Sequence, residues 1–212
     1  MTWYDITNFL LIALCIWVIL RKYNSLPNEI KILLIYFILT LILEICSEYY
    51  ILQGLNNLYL YHLIVPVQYF IICYYFLILL DQRKNKIIIA ALLFSIMLMW
   101  IMSFFINTLS DYFSFASVFK NLIICFFILF YFNHVFNNSL NYEKDKNINI
   151  WIATGLFINS LGNFFIEGSM NYLMDENRSI ATNFYFLHIG LNFLFYIVFI
   201  LVIAFQNFNI QE

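Results

Sequence analysis

The stretch Glu44-Ile-Cys-Ser-Glu48-Tyr-Tyr-Ile-Leu-Gln-Gly54-Leu-Asn-Asn57-Leu-Tyr59-Leu-Tyr-His62 closes one long apolar run and opens the next. A helix crosses a bilayer with about 20 apolar residues. The runs on either side, 30–52 and 59–80, are long enough to do so, and Gly54 marks the turn between them. The stretch therefore reads as a hairpin between two membrane spans that carries two acids and a histidine at membrane depth. Ionisable groups there are costly and are functional candidates by default. A second stretch has the same plan: Asn163-x-x-x-Glu167, a longer turn, then Asn183-Phe-Tyr185-Phe-Leu-His188.

Working outward, five further apolar runs appear, at 5–21, 87–108, 113–136, 149–172 and 182–205. The composition agrees with this reading. Of 212 residues 64% are hydrophobic and 10% charged, where a soluble domain carries about 25% charged residues. The start, Met1-Thr-Trp-Tyr-Asp5, lacks a basic n-region and no small-residue cleavage site follows, so the first run is expected to stay as a span. Cys15, Cys46, Cys73 and Cys125 sit singly in apolar runs and read as packed thiols.

Charge gives the orientation. Arg21, Lys22 and Lys31 flank the first connection, Arg83, Lys84 and Lys86 the third, and Lys144 and Lys146 the fifth. The second, fourth and sixth connections carry no base or more acid than base. The positive-inside rule then places the N-terminus outside and the C-terminus in the cytoplasm. With a net charge of −2 and basic residues scattered in short loops, no nucleic-acid partner is expected.

Aligning His62 with His188 pairs Asn57 with Asn183, Tyr59 with Tyr185, Glu48 with Glu167, Glu44 with Asn163 and Pro66 with Asn192. The fold expected is thus an all-α membrane protein of seven transmembrane helices forming one polytopic domain over 1–212. It has a 3+1+3 parallel pseudo-repeat: repeat 1 over 5–80, a linker helix at 87–108, and repeat 2 over 113–205.

The strongly polar intramembrane residues fall in the outer halves of the spans. Glu44 and Glu48 lie one to two turns below the outer surface, and His62 one turn into the third span. Lys120 lies two turns into the fifth, beside Asn121. Asn159, Asn163 and Glu167 recur every four residues and form one stripe, with Gly155 and Gly162 on the same helix allowing a neighbour close; His188 and Asn192 share a face by the same spacing. These residues form the expected ligand-binding site, with Lys120 pairing an acid. Each also has a plainer role open to it: Glu48 and Glu167 can reach the interface, Lys120 can snorkel, and the asparagines can serve as interhelical glue. His134 reads as interfacial and Pro66 as a helix kink.

The segment from Asn56-Asn57 through His62 to Pro66-Val-Gln-Tyr-Phe70 resembles a motif of small seven-span membrane proteins of Bacteroidota, Asn-Asn-(aromatic)-His-x-x-x-Pro-x-(Glu/Gln)-(aromatic). That likeness covers mainly the second and third spans and implies a multi-pass protein of the bacterial inner membrane, with no activity attached. The 3+1+3 layout is similar to that of SWEET sugar transporters, but the chain has no Pro-Gln dipeptide and no second-repeat proline matching Pro66. It is also similar to the microbial rhodopsins, whose Schiff-base lysine has no counterpart in 182–205.

Three readings of function follow. In the first, an outward polar pocket binds or passes a small ligand or a proton, as a sensor or facilitator, without cofactor or metal; histidine suits this because it titrates near neutral pH. In the second, histidines and carboxylates hold a metal for an intramembrane hydrolase. Ceramidase-like enzymes use three intramembrane histidines, two of them on the last span, whereas here the last span has one and His134 is at the opposite face. In the third, the chain is an accessory or regulatory membrane component acting through a membrane or cytoplasmic protein partner, for example in a CRISPR-associated or other defence system.

Overall fold

The computed structural model describes residues 3–81, 86–105, 114–137 and 144–205, and among them there is helix and turn but no strand. The helices are α1 (Trp3–Arg21), α2 (Asn28–Leu52), α3 (Leu58–Leu79), α4 (Lys86–Phe105), α5 (Ser114–Asn137), α6 (Lys144–Glu176) and α7 (Arg178–Phe205). Six of them, all but α4, contain a segment long and apolar enough to cross a membrane; α4 contributes a shorter apolar stretch, Lys86–Ile101. Apolar side chains point outward along these helices at helical spacing, as with Ile35, Ile38, Ile42 and Ile45 on α2. A water-soluble bundle would place its polar face there. The chain has the build of a multi-pass membrane protein.

The turns follow local chemistry. Gly54, at φ +68°, ends α2: its N–H reaches the Ile51 carbonyl at 2.9 Å and the Leu55 N–H reaches Tyr50 at 2.9 Å. That pair of bonds satisfies carbonyls the helix end would otherwise orphan. The turn between α6 and α7 is shorter than expected. In place of a loop from Met174 to Ala181, one residue, Asn177, separates the helices. Its side-chain oxygen accepts from the N–H groups of Ser179 (3.1 Å) and Ile180 (3.3 Å), so α7 is capped where α6 stops. At its other end α6 begins at Lys144, a turn earlier than the apolar run implied. The 87–108 and 113–136 runs meet across 106–113, which lie outside the described residues.

Packing defines a closed ring. Each of α1, α2, α3, α5, α6 and α7 packs on the next in that order, and α7 returns to α1; α4 stands outside, against α3 and more lightly α5. At the start of α1, Tyr4 meets Tyr185 and Phe186 of α7 edge-on, with centroids 6.4 and 5.8 Å apart. At the far end, the Lys22 ammonium donates to the Ile203 and Ala204 carbonyls at 2.8 and 2.9 Å. Helices α1 and α7 therefore run parallel, and Lys22 places a positive charge at the negative end of α7. The middle of the ring is filled by aromatic side chains: Phe37 of α2 lies 4.7 Å from Phe199 and 6.2 Å from Phe195 of α7. Several buried polar groups in this core pair across helices. Tyr75 donates to Asn149 at 2.9 Å, Gln68 to Thr40 at 2.9 Å, and Tyr69 bonds Ser95 of α4 at 2.9 Å.

Candidate functional site

The tightest polar assembly sits between α6 and α7. Its approach depends on glycine: a methyl at Gly162 would overlap Leu191, and one at Gly155 would press on Val198 at 3.3 Å. As residue numbers rise on α6 they fall on α7, so the two helices are antiparallel in register. That register brings the stripe of Asn159 and Asn163 opposite His188 and Asn192.

The four side chains close a ring of hydrogen bonds. The His188 Nδ1–H donates to Asn163 Oδ1 at 3.0 Å. The Asn163 amide donates to Asn159 Oδ1 at 3.3 Å, and that of Asn159 to Asn192 Oδ1 at 2.8 Å. The Asn192 amide then donates to His188 Nε2 at 3.2 Å. The amide orientations require the neutral imidazole with its proton on Nδ1. Glu167, one turn beyond Asn163 and 4% exposed, lies 4.0 Å from that nitrogen. Its other oxygen accepts from Asn121 of α5 at 2.6 Å.

The ring has a property that follows from counting donors. Each asparagine offers the ring one donor and one acceptor, and so does neutral histidine. An imidazolium offers two donors and no acceptor. However the amides are turned, a charged His188 leaves one link of the four donor against donor. The titratable and charged groups that face it are Glu167 from α6 and Lys120 from α5, with Tyr185 one turn earlier on α7 beside Tyr4 and Asp5 of α1.

A second polar group lies at the same end of the bundle. Glu44 on α2 has the Asn8 amide of α1 within hydrogen-bonding reach, with Asp5 and Glu48 nearby. Tyr61 of α3 and Tyr185 of α7 face this acidic group. Asn57 and Tyr61 both bond the Ser47 hydroxyl, at 2.5 and 3.3 Å, and so pin the start of α3 to α2.

The residues expected to share one site are thus divided. Asn159, Asn163, Glu167, His188 and Asn192 come together; Glu44 and Glu48 form the neighbouring acidic group. His62, 1% exposed on α3, belongs to neither set of bonds described above, and Pro66 is buried in the same helix. The partner that holds Glu167 is Asn121, adjacent to the Lys120 that was expected to pair an acid. Asp5 and Asn8 were missed, because nothing in the sequence of α1 says that it packs between α2 and α7. Among the described residues, no three of histidine, cysteine, aspartate and glutamate converge as a metal site requires.

No family model, curated protein or solved structure matches this chain.

Proposed function

We propose that this is a seven-span inner-membrane protein, N-terminus outside, whose outer-half polar site responds to protons and binds or passes a small ligand or a proton. The single observation behind this is the hydrogen-bond ring around His188, which is satisfied by neutral histidine and broken at one link by the imidazolium. A half-buried network with one consistent protonation state is a two-state element, and the buried Glu167 stands ready as counter-ion to the other state.

The helix order supports the 3+1+3 repeat. The neighbours α1–α2, α2–α3 and α3–α5 correspond to α5–α6, α6–α7 and α7–α1, and α4 alone lacks a counterpart, as a linker should. Among the described residues, the basic Arg21, Lys22, Lys31 and Lys86 lie at the helix ends opposite to the ring, which supports an outward-facing polar site. In the second half the aligned Glu167 and His188 are in contact, while Glu44 and Glu48 line the acidic group in the first.

The test is reconstitution into liposomes carrying an internal pH dye. Wild type, His188→Asn and Glu167→Gln are compared for proton flux and for stabilisation by polar ligands across pH 5–8. A native-state ligand raises apparent stability. Flux or ligand stabilisation that depends on pH in wild type and loses that dependence in both variants supports the proposal. Identical pH responses in all three proteins would make the network structural glue and defeat it.

A further inference from the structure

A different feature lies at the basic end of the bundle. Because α4 stands outside the ring and leans on α5 only lightly, a wedge opens between α3, α4 and α5. It has a volume of about 630 Å³, within the ~300–1,000 Å³ typical of small-ligand sites. Its walls are apolar, with Leu77, Ile88 and Phe130 among them, and its mouth is polar, made by Asn133, His134 and Asn137 from the last turns of α5. At the same end of the bundle the exposed Lys86 opens α4.

We propose that this wedge binds one anionic phospholipid, with an acyl chain along the apolar walls and the phosphate at the rim near Lys86, Asn133 and His134. Three observations converge on that occupant. The wedge opens on a surface where large apolar side chains, Ile87, Phe126 and Phe130, are exposed. Its polarity changes from apolar wall to polar mouth in the sense of a phospholipid. Lys86, exposed at the start of α4, puts a positive charge at that end of the wedge, and basic pockets between membrane helices recognise acidic headgroups. The wedge is remote from His188, so its failure would leave the proposal above untouched, and the reverse also holds.

The experiment uses the full chain purified in mild detergent. Phosphatidylglycerol and phosphatidylcholine of matched chains are titrated, with retained lipid counted by native mass spectrometry and stability followed by thermal unfolding. Phosphatidylglycerol is expected to be retained and to raise Tm more than phosphatidylcholine does. Lys86→Gln, an exposed change that leaves the fold alone, should weaken it about fivefold. Ile88→Trp, which fills the wedge, should abolish retention. Equal retention of both lipids with no effect of Lys86→Gln would overturn the proposal. So would an equal Tm shift from inorganic phosphate alone, or a concentration-dependent dimer that is insensitive to lipid and lost in Ile88→Trp.

Discussion

Replacing members of the His188 ring in pairs should expose its connectivity. Each member takes part in two hydrogen bonds, so a single Asn→Leu change at Asn159, Asn163 or Asn192 removes two. Adjacent members share a bond, so Asn159→Leu with Asn192→Leu removes three; Asn163→Leu with Asn192→Leu, opposite members, removes four. Hydrogen bonds between membrane helices contribute about 0.6 kcal/mol on average and about 1.7 at most. The single changes should then cost about 1.2 kcal/mol and the adjacent pair about 1.8, a coupling of about 0.6. The opposite pair should cost about 2.4 kcal/mol with no coupling if the bonds act independently, and should couple as well if the ring polarises as a unit. Leucine keeps the branching and heavy-atom count of asparagine but is bulkier, and the coupling terms, as differences within a cycle, cancel the packing cost of each single change. Reversible unfolding in bicelles measures all the terms. Single changes without cost, or an adjacent pair whose effects simply add, would show that the four groups do not form the ring.

Three other outcomes follow. Nitrogen-15 NMR of labelled His188 at neutral pH should report the Nδ1–H tautomer; the Nε2–H form would reverse every amide in the ring. Gly162→Ala should lower stability by about 1–2 kcal/mol through its overlap with Leu191, with partial rescue by Leu191→Ala, while Gly190→Ala, with nothing within 4 Å, should be neutral or stabilising. Single cysteines at Gln53 and Asn24, both exposed in turns, should label from opposite sides of the membrane, Gln53 from outside; reversed labelling would invert the orientation.

The sequence was most legible where a residue's partner is local or where composition suffices. Seven apolar runs predicted the described helices to within a few residues, except at α6, because bilayer thickness says nothing about how far a helix continues into water. There Asn177 turned the chain in one residue by a cap that its sequence permits but does not require. The α6 stripe and the His188–Asn192 pair were legible because i, i+4 spacing puts such residues on one face. What remained hidden depends on lateral order. Whether Lys120 or Asn121 faces α6 is a rotation of one residue, and it decides that Glu167 is held by an amide. The packing of α1 on α2 brings Asp5 and Asn8 to Glu44, and the closure of α7 onto α1 brings Tyr185 beside them; no periodicity encodes either.

The most direct measurement of the central claim is the unfolding stability of wild type and His188→Asn compared from pH 8 to pH 5. Asparagine keeps one donor and one acceptor in the ring but takes up no proton, so the difference between the two proteins isolates His188 from His62 and His134. On acidification the wild type should lose about one hydrogen bond of stability, about 0.6 kcal/mol, relative to the variant. Parallel profiles across that range would contradict the account.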